Sequence, residues 1–308
     1  LTDISLYSIG IADNAFENQS TIKSVLIPET VLSIGSQAFR NCAALDTVSE
    51  AINVEKISGN AFYGTVWDSN LTGGEIYLGK TLYKYAGGMY TDTEITVKDG
   101  TVGIAGNAFN GMEKLVKITL PEGVQNIGEY AFGGNPKGTG LTEISLPASL
   151  SEIGANAFRN SENLAKITIG KNVVYIGDNA FAGCSVTELD FAAQNAQFGA
   201  QGPFRGNTAA AEVTFDSGIT TFPAKLFDSW TGLKNVSLGG VTDLPDNAFD
   251  GFENLETVSL ENIETIGNYA LRGTGIVQLT IPAGIVKIGN GAFANCKSLT
   301  TVNYNALD

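Results

Sequence analysis

The chain is built from one short motif that recurs along its 308 residues. It reads IGSQAFRNC at Ile34–Cys42, IGANAFRNS at Ile153–Ser161 and IGDNAFAGC at Ile176–Cys184. We call the aromatic residue of each copy, or its equivalent, the anchor, and successive anchors are 22 to 26 residues apart. Such a period is typical of a solenoid, in which each coil buries its apolar face against its neighbours. The anchors are Phe16, Phe39, Phe62, Tyr85, Phe109, Phe132, Phe158, Phe181, Phe204, Phe227, Phe249, Leu271 and Phe293.

Each copy carries the same order of positions upstream of its anchor. An apolar–polar–apolar triplet, such as residues 167–169, predicts a short half-buried strand and one rung of a parallel sheet. A Pro often follows, as at Pro28 and Pro121, and should end the strand because it has no N–H to donate. A second apolar pair, such as Val31 with Ile34, then precedes a small residue where the chain turns.

The second residue after the anchor is Gly or Asn in twelve of the thirteen copies. Because these two residues best tolerate positive φ, we predict a one-turn helix closed by a left-handed residue on the return side of each coil. The Ala before the anchor permits close stacking of coils, and the anchor rings should form one continuous internal ladder. The predicted fold is therefore a mostly β solenoid, with a parallel sheet on one face and one-turn helices and turns on the other.

The unit L-x-x-I-x-L-P-x-x-V-x-x-I-G-x-x-A-F-x-x-C resembles the BspA-like, or Treponema pallidum-type, leucine-rich repeats of bacterial surface proteins. Residues 141–169 follow this pattern almost throughout. The resemblance implies one leucine-rich-repeat solenoid over residues 1–308, with about 13 repeats. The pattern is interrupted at residues 63–92, where we expect a β-hairpin insertion, and at residues 192–204, which lack the Ala before Phe204.

Composition excludes several classes of function. A net charge of −14 with 18 thinly spread basic residues argues against nucleic-acid binding, which needs clustered Lys and Arg. No apolar run approaches the roughly 18 residues of a membrane helix, so we expect no membrane insertion by this segment. The absence of histidine removes Ser-His and Cys-His nucleophiles and His-based zinc sites. We expect neither an enzyme nor a cofactor.

The stretch GEIYLGKT at Gly74–Thr81 satisfies the phosphate-loop formula G-x-x-x-x-G-K-[ST]. A true phosphate loop follows a buried strand and opens a long helix. Here both flanks alternate like strands around Gly79 and Lys80, so we predict a hairpin rather than a nucleotide site.

The three cysteines each lie three residues after an anchor. Cys42, Cys184 and Cys296 share this column with Met112 and Trp230, which indicates a buried position. Since neighbouring rungs are about 4.8 Å apart, the thiols are too distant for disulfides. We predict three free, buried, structural thiols.

Two polar groupings fall on the strand face. Glu188, Asp190 and Glu212 should meet on neighbouring rungs, either as a solvated acidic face or as a cation patch. The middle residue of the triplet is Ser or Thr in most copies, which predicts a ladder of hydroxyl groups along the sheet. These short residues are either simply compatible with a crowded parallel sheet, or they form a hydrogen-bonding surface for a partner. The hydroxyl residues are Ser5, Ser49, Thr96, Thr119, Ser145, Thr168, Thr214, Ser237, Ser259 and Thr280.

The insertion is unusually aromatic and is the candidate partner site. Aromatic side chains with a polar edge dominate binding hot spots, although the same rings could simply pack on the neighbouring coil. Alternation along the strand predicts that, if Tyr83 and Tyr85 are buried, Leu82 lies on the more open side. The candidate binding residues are Trp67, Tyr77, Tyr83, Tyr85 and Tyr90.

The leading hypothesis is a non-enzymatic cell-surface binding or adhesion module that presents an extended repeat surface. The alternatives are a structural spacer carrying another domain, and a carboxylate-based hydrolase that uses the acidic trio. The resemblance implies an extracellular or cell-surface location and a host or matrix protein or surface glycan as partner, and we expect a monomer. Because both ends of the chain lie inside repeats, we expect a signal or an anchor to lie outside it.

Overall fold

A computed structural model describes residues 10–305. Its regular structure consists almost entirely of short strands. In chain order these are β1 (Gly10–Ile11), β2 (Ser24–Ile27), β3 (Ser33–Ile34), β4 (Thr47–Glu50), β5 (Lys56–Ile57), β6 (Gly74–Leu78), β7 (Thr81–Ala86), β8 (Thr93–Thr96), β9 (Gly103–Ile104), β10 (Leu115–Thr119), β11 (Asn126–Ile127), β12 (Glu152–Ile153), β13 (Lys166–Ile169), β14 (Tyr175–Ile176), β15 (Glu188–Phe191), β16 (Gln197–Phe198), β17 (Ala211–Phe215), β18 (Leu233–Ser237), β19 (Asp243–Leu244), β20 (Thr257–Val258), β21 (Thr265–Ile266), β22 (Gln278–Ile281), β23 (Lys287–Ile288) and β24 (Thr301–Tyr304). One α-helical turn, α1 (Val66–Ser69), and one 3₁₀ turn (Ala224–Phe227) complete the regular elements.

The strands form two parallel ladders, one rung per coil. The long ladder contains the predicted triplets, in the groups β2–β4, β8–β10, β13–β15–β17–β18–β20 and β22–β24. The short ladder runs as β1–β3–β5, then β7–β9–β11–β12–β14–β16, then β19–β21–β23. Its strands have two residues each, except β7, which contributes its first two residues, Thr81 and Leu82. The leucine-rich-repeat solenoid predicted from the sequence is therefore confirmed.

The long ladder has the predicted alternation. In β13, Ile167 and Ile169 are buried while Lys166 and Thr168 are exposed. The Pro residues end these strands as expected: the carbonyl of Pro28 accepts the N–H of Val31 in a turn, 3.0 Å away. Each rung thus buries two side chains and then leaves the sheet.

The short ladder was not predicted. The sequence indicated a turn after the second apolar pair, but Ile34, Ile104 and Ile153 lie in paired two-residue strands and are fully buried. Two residues are too few for any periodicity to show. The ladder has a gap between β16 and β19, because the coil of Phe227 has no short strand before its 3₁₀ turn.

The return segments differ from the predicted one-turn helices. The second residue after the anchor has positive φ in every coil except that of Phe132, where Gly134 does not. A second left-handed residue, two positions before the anchor, also occurs in ten coils, and it breaks any helical turn. These residues are Asn14, Gln37, Asn60, Asn107, Tyr130, Asn156, Asn179, Asn247, Tyr269 and Gly291. The return side therefore consists of tight turns, with the two short helical turns named above as exceptions.

The anchors hold neighbouring coils together. The N–H of Phe158 donates to the carbonyl of Ala180 in the next coil at 2.7 Å, and most other anchors repeat this bond. Six successive pairs of anchor rings stack with centroids 5.0–5.4 Å apart. The ring ladder is not continuous, however: Phe204 stacks on Trp230, at 4.4 Å, and Tyr85 is tilted by 35° against Phe109.

The hairpin β6–β7 divides the core into two clusters. Leu78 and Tyr83 belong to the cluster of the first coils, whereas Leu82 belongs to the cluster of the later ones. The N–H of Lys80 donates to Val54 on one side, and the carbonyl of Lys80 accepts from Val102 on the other. The hairpin is therefore inserted between two coils rather than lying on their surface.

Candidate functional site

The hairpin and the short helix before it place three polar side chains together. Thr65 caps α1, and its Oγ1 accepts the N–H of Asp68 at 3.0 Å. The cap holds Asp68 towards β7, where the hydroxyl of Tyr83 and the ammonium of Lys84 both donate to Asp68 Oδ1, at 2.7 and 2.8 Å. A carboxylate, an ammonium and a phenol thus share one hydrogen-bonding centre.

The electrostatics of this centre follow from its burial. Burial raises the pKa of Tyr83 well above its usual value, and the charge of Asp68 raises it further, so Tyr83 stays a neutral donor. The side chains of Asp68 and Lys84 are 15% and 28% exposed. They compensate each other, so the centre carries no net charge.

The second oxygen of Asp68 is open. Both contacts fall on Oδ1, and within residues 10–305 no group donates to Oδ2. Oδ2 is also not among the unpaired polar atoms that are enclosed within this part of the chain. It is therefore an acceptor that solvent or a ligand can reach.

These groups line a cleft of about 140 Å³ between the coil of Phe62 and that of Phe109. We call it the hairpin cleft and define it by Asn60, Tyr63, Asp68, Lys84, Tyr85 and Asn107; Tyr83 and Met112 also line it. Tyr63 is 58% exposed, and the amide of Asn107 donates to Asn60 Oδ1 at 3.4 Å. The cleft combines aromatic surface with directional polar groups, which is typical of a small-ligand site.

The structure does not gather the five predicted aromatic residues into one exposed patch. Trp67 and Tyr83 pack on Phe62, with ring centroids 4.9 and 5.8 Å from it. Tyr77 accepts the N–H of Lys98 through its hydroxyl, and Tyr85 contacts Phe109. Tyr90 alone of the five is exposed, at 90%. The hairpin cleft contains only Tyr83 and Tyr85 of this set, and binding there stays a prediction.

The alternation argument for β7 was wrong. Tyr83 is buried and Tyr85 is half-buried, so the stated condition is met only in part, yet Leu82 is fully buried rather than on a more open side. The physical reason is that β7 lies between two coils, so that each face of the strand packs on a different core cluster.

The acidic trio meets on adjacent strands as predicted, with Glu188 directly opposite Glu212. Glu188 pairs with Lys166, a hydrogen bond that raises the pKa of the lysine, and Glu212 accepts from Asn235 at 3.0 Å. Asp190 accepts from Thr168 at 3.4 Å. Residues 10–305 contain no group of three or more acidic or thiol side chains arranged to hold a metal ion. The trio is a solvated face with neighbouring partners.

The hydroxyl ladder forms in part. Thr119 pairs with Thr96 on one side and Ser145 on the other, but Asp190 interrupts the row between Thr168 and Thr214. Ser5 lies outside the described residues. The row is exposed along much of the long ladder.

The phosphate-loop formula proves to be a hairpin. β6 and β7 are antiparallel and joined at Gly79–Lys80, with φ of 64° at Gly79. Lys80 pairs with Glu55 at 2.7 Å. No long helix follows, so the geometry that a nucleotide phosphate needs is missing here.

The cysteines have a common structural role. Cys42 and Cys184 donate their S–H to the anchor carbonyl of the preceding coil, Phe16 and Phe158, at 3.0 and 3.1 Å. All three cysteines are free; Cys42 and Cys184 are buried, but Cys296 is half-buried because no further described coil covers its outer side. Burial raises the pKa of Cys184 to about 12.

A second, larger depression of about 410 Å³ lies beside Phe252 and is more open to solvent than the hairpin cleft. Its ion pair, Lys225 with Asp228 at 3.0 Å, is substantially exposed. Exposed pairs of this kind are well hydrated and contribute little to recognition. The hairpin cleft is therefore the stronger candidate.

Sequence reasoning missed Tyr63, Asp68 and Lys84 as cleft residues. Tyr63 directly follows an anchor, where the other coils carry Asn, Arg, Asp, Glu, Ala or Gly, so its aromatic character was a usable signal. Asp68 and Lys84 are 16 residues apart and meet only because the hairpin folds back. No local pattern encodes that contact.

The chain is similar to several proteins of known structure. A crystal structure of a leucine-rich repeat protein from Bacteroides ovatus aligns with 95% of this chain and 76% of its own length, at 24% identity and a TM-score of 0.54. A leucine rich cell surface protein from Faecalibacterium prausnitzii aligns over 97% and 83%, at 26% identity and a TM-score of 0.35. The pneumococcal vaccine antigen PcpA aligns over 96% and 75%, at 19% identity and a TM-score of 0.41. No curated protein shows significant similarity.

Two further findings bear on classification. Over residues 10–305, no helix is both long and apolar enough to cross a membrane. The family model of the BspA type leucine-rich repeat region, with six copies, matches residues 9–74, 80–202 and 200–300. These matches cover nearly the whole sequence. The chain therefore belongs to the BspA-type leucine-rich repeat family.

Proposed function

We propose that this protein is a non-enzymatic binding module of the bacterial cell surface, and that it engages its partner at the hairpin cleft. The repeat provides a rigid support, since each coil is fixed by ladder bonds and stacked anchors. Family membership supports a surface location, because repeats of this type resemble those of bacterial surface proteins. The acidic chain, at −14, favours partners that are neutral or basic over nucleic acid.

One observation carries the proposal. The regular stack is interrupted by an inserted hairpin, and this interruption creates a cleft with an open carboxylate oxygen and an exposed tyrosine. Coil packing alone requires neither group. A pure spacer would have no use for them.

The test compares binding of the purified chain with that of two variants, on immobilised matrix proteins and surface glycans. Tyr63→Ala removes the exposed ring of the cleft, while Tyr90→Ala removes an exposed ring of the same insertion outside the cleft. We expect the first change to abolish binding and the second to leave it intact, with melting temperatures nearly unchanged for both. Equal binding by all three proteins would move the site elsewhere, and no binding by any of them would favour a spacer.

A further inference from the structure

We propose that the hairpin cleft binds one neutral sugar unit through a pair of vicinal hydroxyl groups. This inference rests on the proposed function and adds the chemical class of the ligand. It follows from the adjacency of one donor and one acceptor in the cleft, from the charge of the cleft, and from its size.

The donor and the acceptor are Lys84 and Asp68. The ammonium of Lys84 has three N–H groups. It donates to Oδ1 and, at 3.4 Å, to the carbonyl oxygen of Asp68, and it lies 5.9 Å from the ring centroid of Tyr83. Asp68 keeps Oδ2 as an open acceptor beside that ammonium. A hydroxyl group both donates and accepts, so two neighbouring hydroxyls match such a pair, one donating to Asp68 and the other accepting from Lys84.

The charge of the cleft disfavours ionic ligands. An anionic group would approach Lys84 but would face Asp68 and a chain of net charge −14. A basic side chain would approach Asp68 but would face the ammonium of Lys84 at close range. A neutral polyol meets neither repulsion, because the pair is already compensated.

The remaining walls suit the apolar face of a sugar ring. Tyr63 and Tyr85 line the cleft, and Tyr63 is largely exposed. Tyrosine rings offer broad contact area at low entropic cost. The amides of Asn60 and Asn107 supply further donors and acceptors at the same cleft.

The volume limits the ligand to a single unit. At about 140 Å³ the cleft is well below the roughly 300 Å³ at which pockets for drug-sized ligands begin. It holds several water molecules, each of which occupies about 30 Å³ in the liquid. One monosaccharide ring, free or at the end of a glycan, is the size class that fits.

The experiment uses the full chain and saturation-transfer difference NMR with methyl glycosides of glucose, galactose and mannose. Deoxy analogues that lack one of two vicinal hydroxyls serve as ligand controls, and sialyllactose and a lysine-rich peptide represent the two ionic classes. We expect saturation transfer to at least one neutral glycoside, and its loss in the matching deoxy analogue.

The protein variants locate the site. Tyr63→Ala and Lys84→Met should each weaken the responsive glycoside at least about tenfold. Asn60→Gly should weaken it too, since Gly tolerates the φ of 60° at this position and only the amide is lost. The matched control is Asn156→Gly, which makes the same change at the same position of another coil, where φ is 55°. This residue lies away from the cleft, so the affinity for the glycoside should be unchanged. Circular dichroism confirms that each variant is folded.

The outcomes separate this inference from the proposed function. No response from any neutral glycoside overturns the sugar assignment. If the lysine-rich peptide or an immobilised matrix protein instead binds and Tyr63→Ala abolishes that binding, the cleft remains the partner site and the ligand class is wrong. If a glycoside binds but Tyr63→Ala and Lys84→Met have no effect, both the sugar assignment and the cleft as partner site fail.

Discussion

The phenyl rings of Phe158 and Phe181 lie 5.0 Å apart between centroids and within 4° of parallel. Phe158 stacks in the same way on Phe132 at 5.1 Å, and all three rings are fully buried. Removing the central ring leaves a cavity that two coils must share. We therefore expect Phe158→Ala to lower the free energy of unfolding by about 3–5 kcal/mol, measured by urea denaturation.

Phe16 provides the matched control for that measurement. It stacks on Phe39 with the same centroid distance as interior pairs, 5.1 Å, but it is 41% exposed. Phe16→Ala should cost less than half as much, because the burial that is lost is much smaller. Equal costs at both positions would show that the burial of the anchor ring does not determine its contribution to stability.

Gly251 tests backbone conformation without steric contact. Its φ is 77°, and a Cβ added there would meet no atom within 4 Å. Asn occupies the same position in other coils, as at Asn160 with φ of 59°. We expect Gly251→Val to lower stability by about 1–3 kcal/mol through strain, and Gly251→Asn to cost much less. Thermal unfolding of both variants checks this, and equal effects would remove φ as the reason for Gly or Asn at this position.

Gly177 tests the opposite case, contact without strain. A Cβ on this residue would lie 2.4 Å from the backbone N of Ala155 in the preceding coil. Gly177→Ala should therefore push two coils apart and cost about 1–3 kcal/mol. The control, Gly170→Ala, adds a methyl group where nothing lies within 4 Å and should be neutral or slightly stabilising. A harmless Gly177→Ala would mean that the coils can separate freely at this edge.

The repeat made most of the fold predictable because every coil buries the same positions. Equivalent positions in successive coils are buried in the same way, as at Ile167, Phe158 and Cys184. The residue types that recur at such a position therefore indicate its burial. The second left-handed position could also have been found, since Asn stands there in six of the ten coils that have positive φ. By contrast, the enclosure of Leu82 and the contact of Lys84 with Asp68 arise from the one inserted hairpin, which has no second copy for comparison.

Thiol exposure predicts an order of modification. Cys184 is buried with a pKa raised to about 12, so at neutral pH it has almost no thiolate, which is the reactive form. Cys296 is only half-buried. Iodoacetamide should therefore modify Cys296 first in the folded protein, and Cys42 and Cys184 only after unfolding, as followed by peptide mass spectrometry. Early modification of Cys184 would contradict its placement in the core.

The pKa of Cys184 also predicts how stability depends on pH. Burial raises the folded-state pKa from 9.0 to about 12. Between these values the unfolded chain loses a thiol proton that the folded chain retains, so the free energy of unfolding falls as pH rises through this range.

Cys184→Ser should remove this contribution while keeping a donor to the carbonyl of Phe158, as Ser161 does for Phe132 at 3.1 Å. Urea denaturation under reducing conditions should show a smaller loss of stability for Cys184→Ser than for the wild type as pH rises from 9.0 to about 12. Cys184→Ala should lack the same pH term but be up to about 1 kcal/mol less stable than Cys184→Ser at neutral pH. The Phe158 carbonyl then loses one of its two donors and keeps the N–H of Ser161, 3.1 Å away. Parallel pH curves for the wild type and Cys184→Ser would show that this thiol ionises equally in both states, and its burial would then have no energetic consequence.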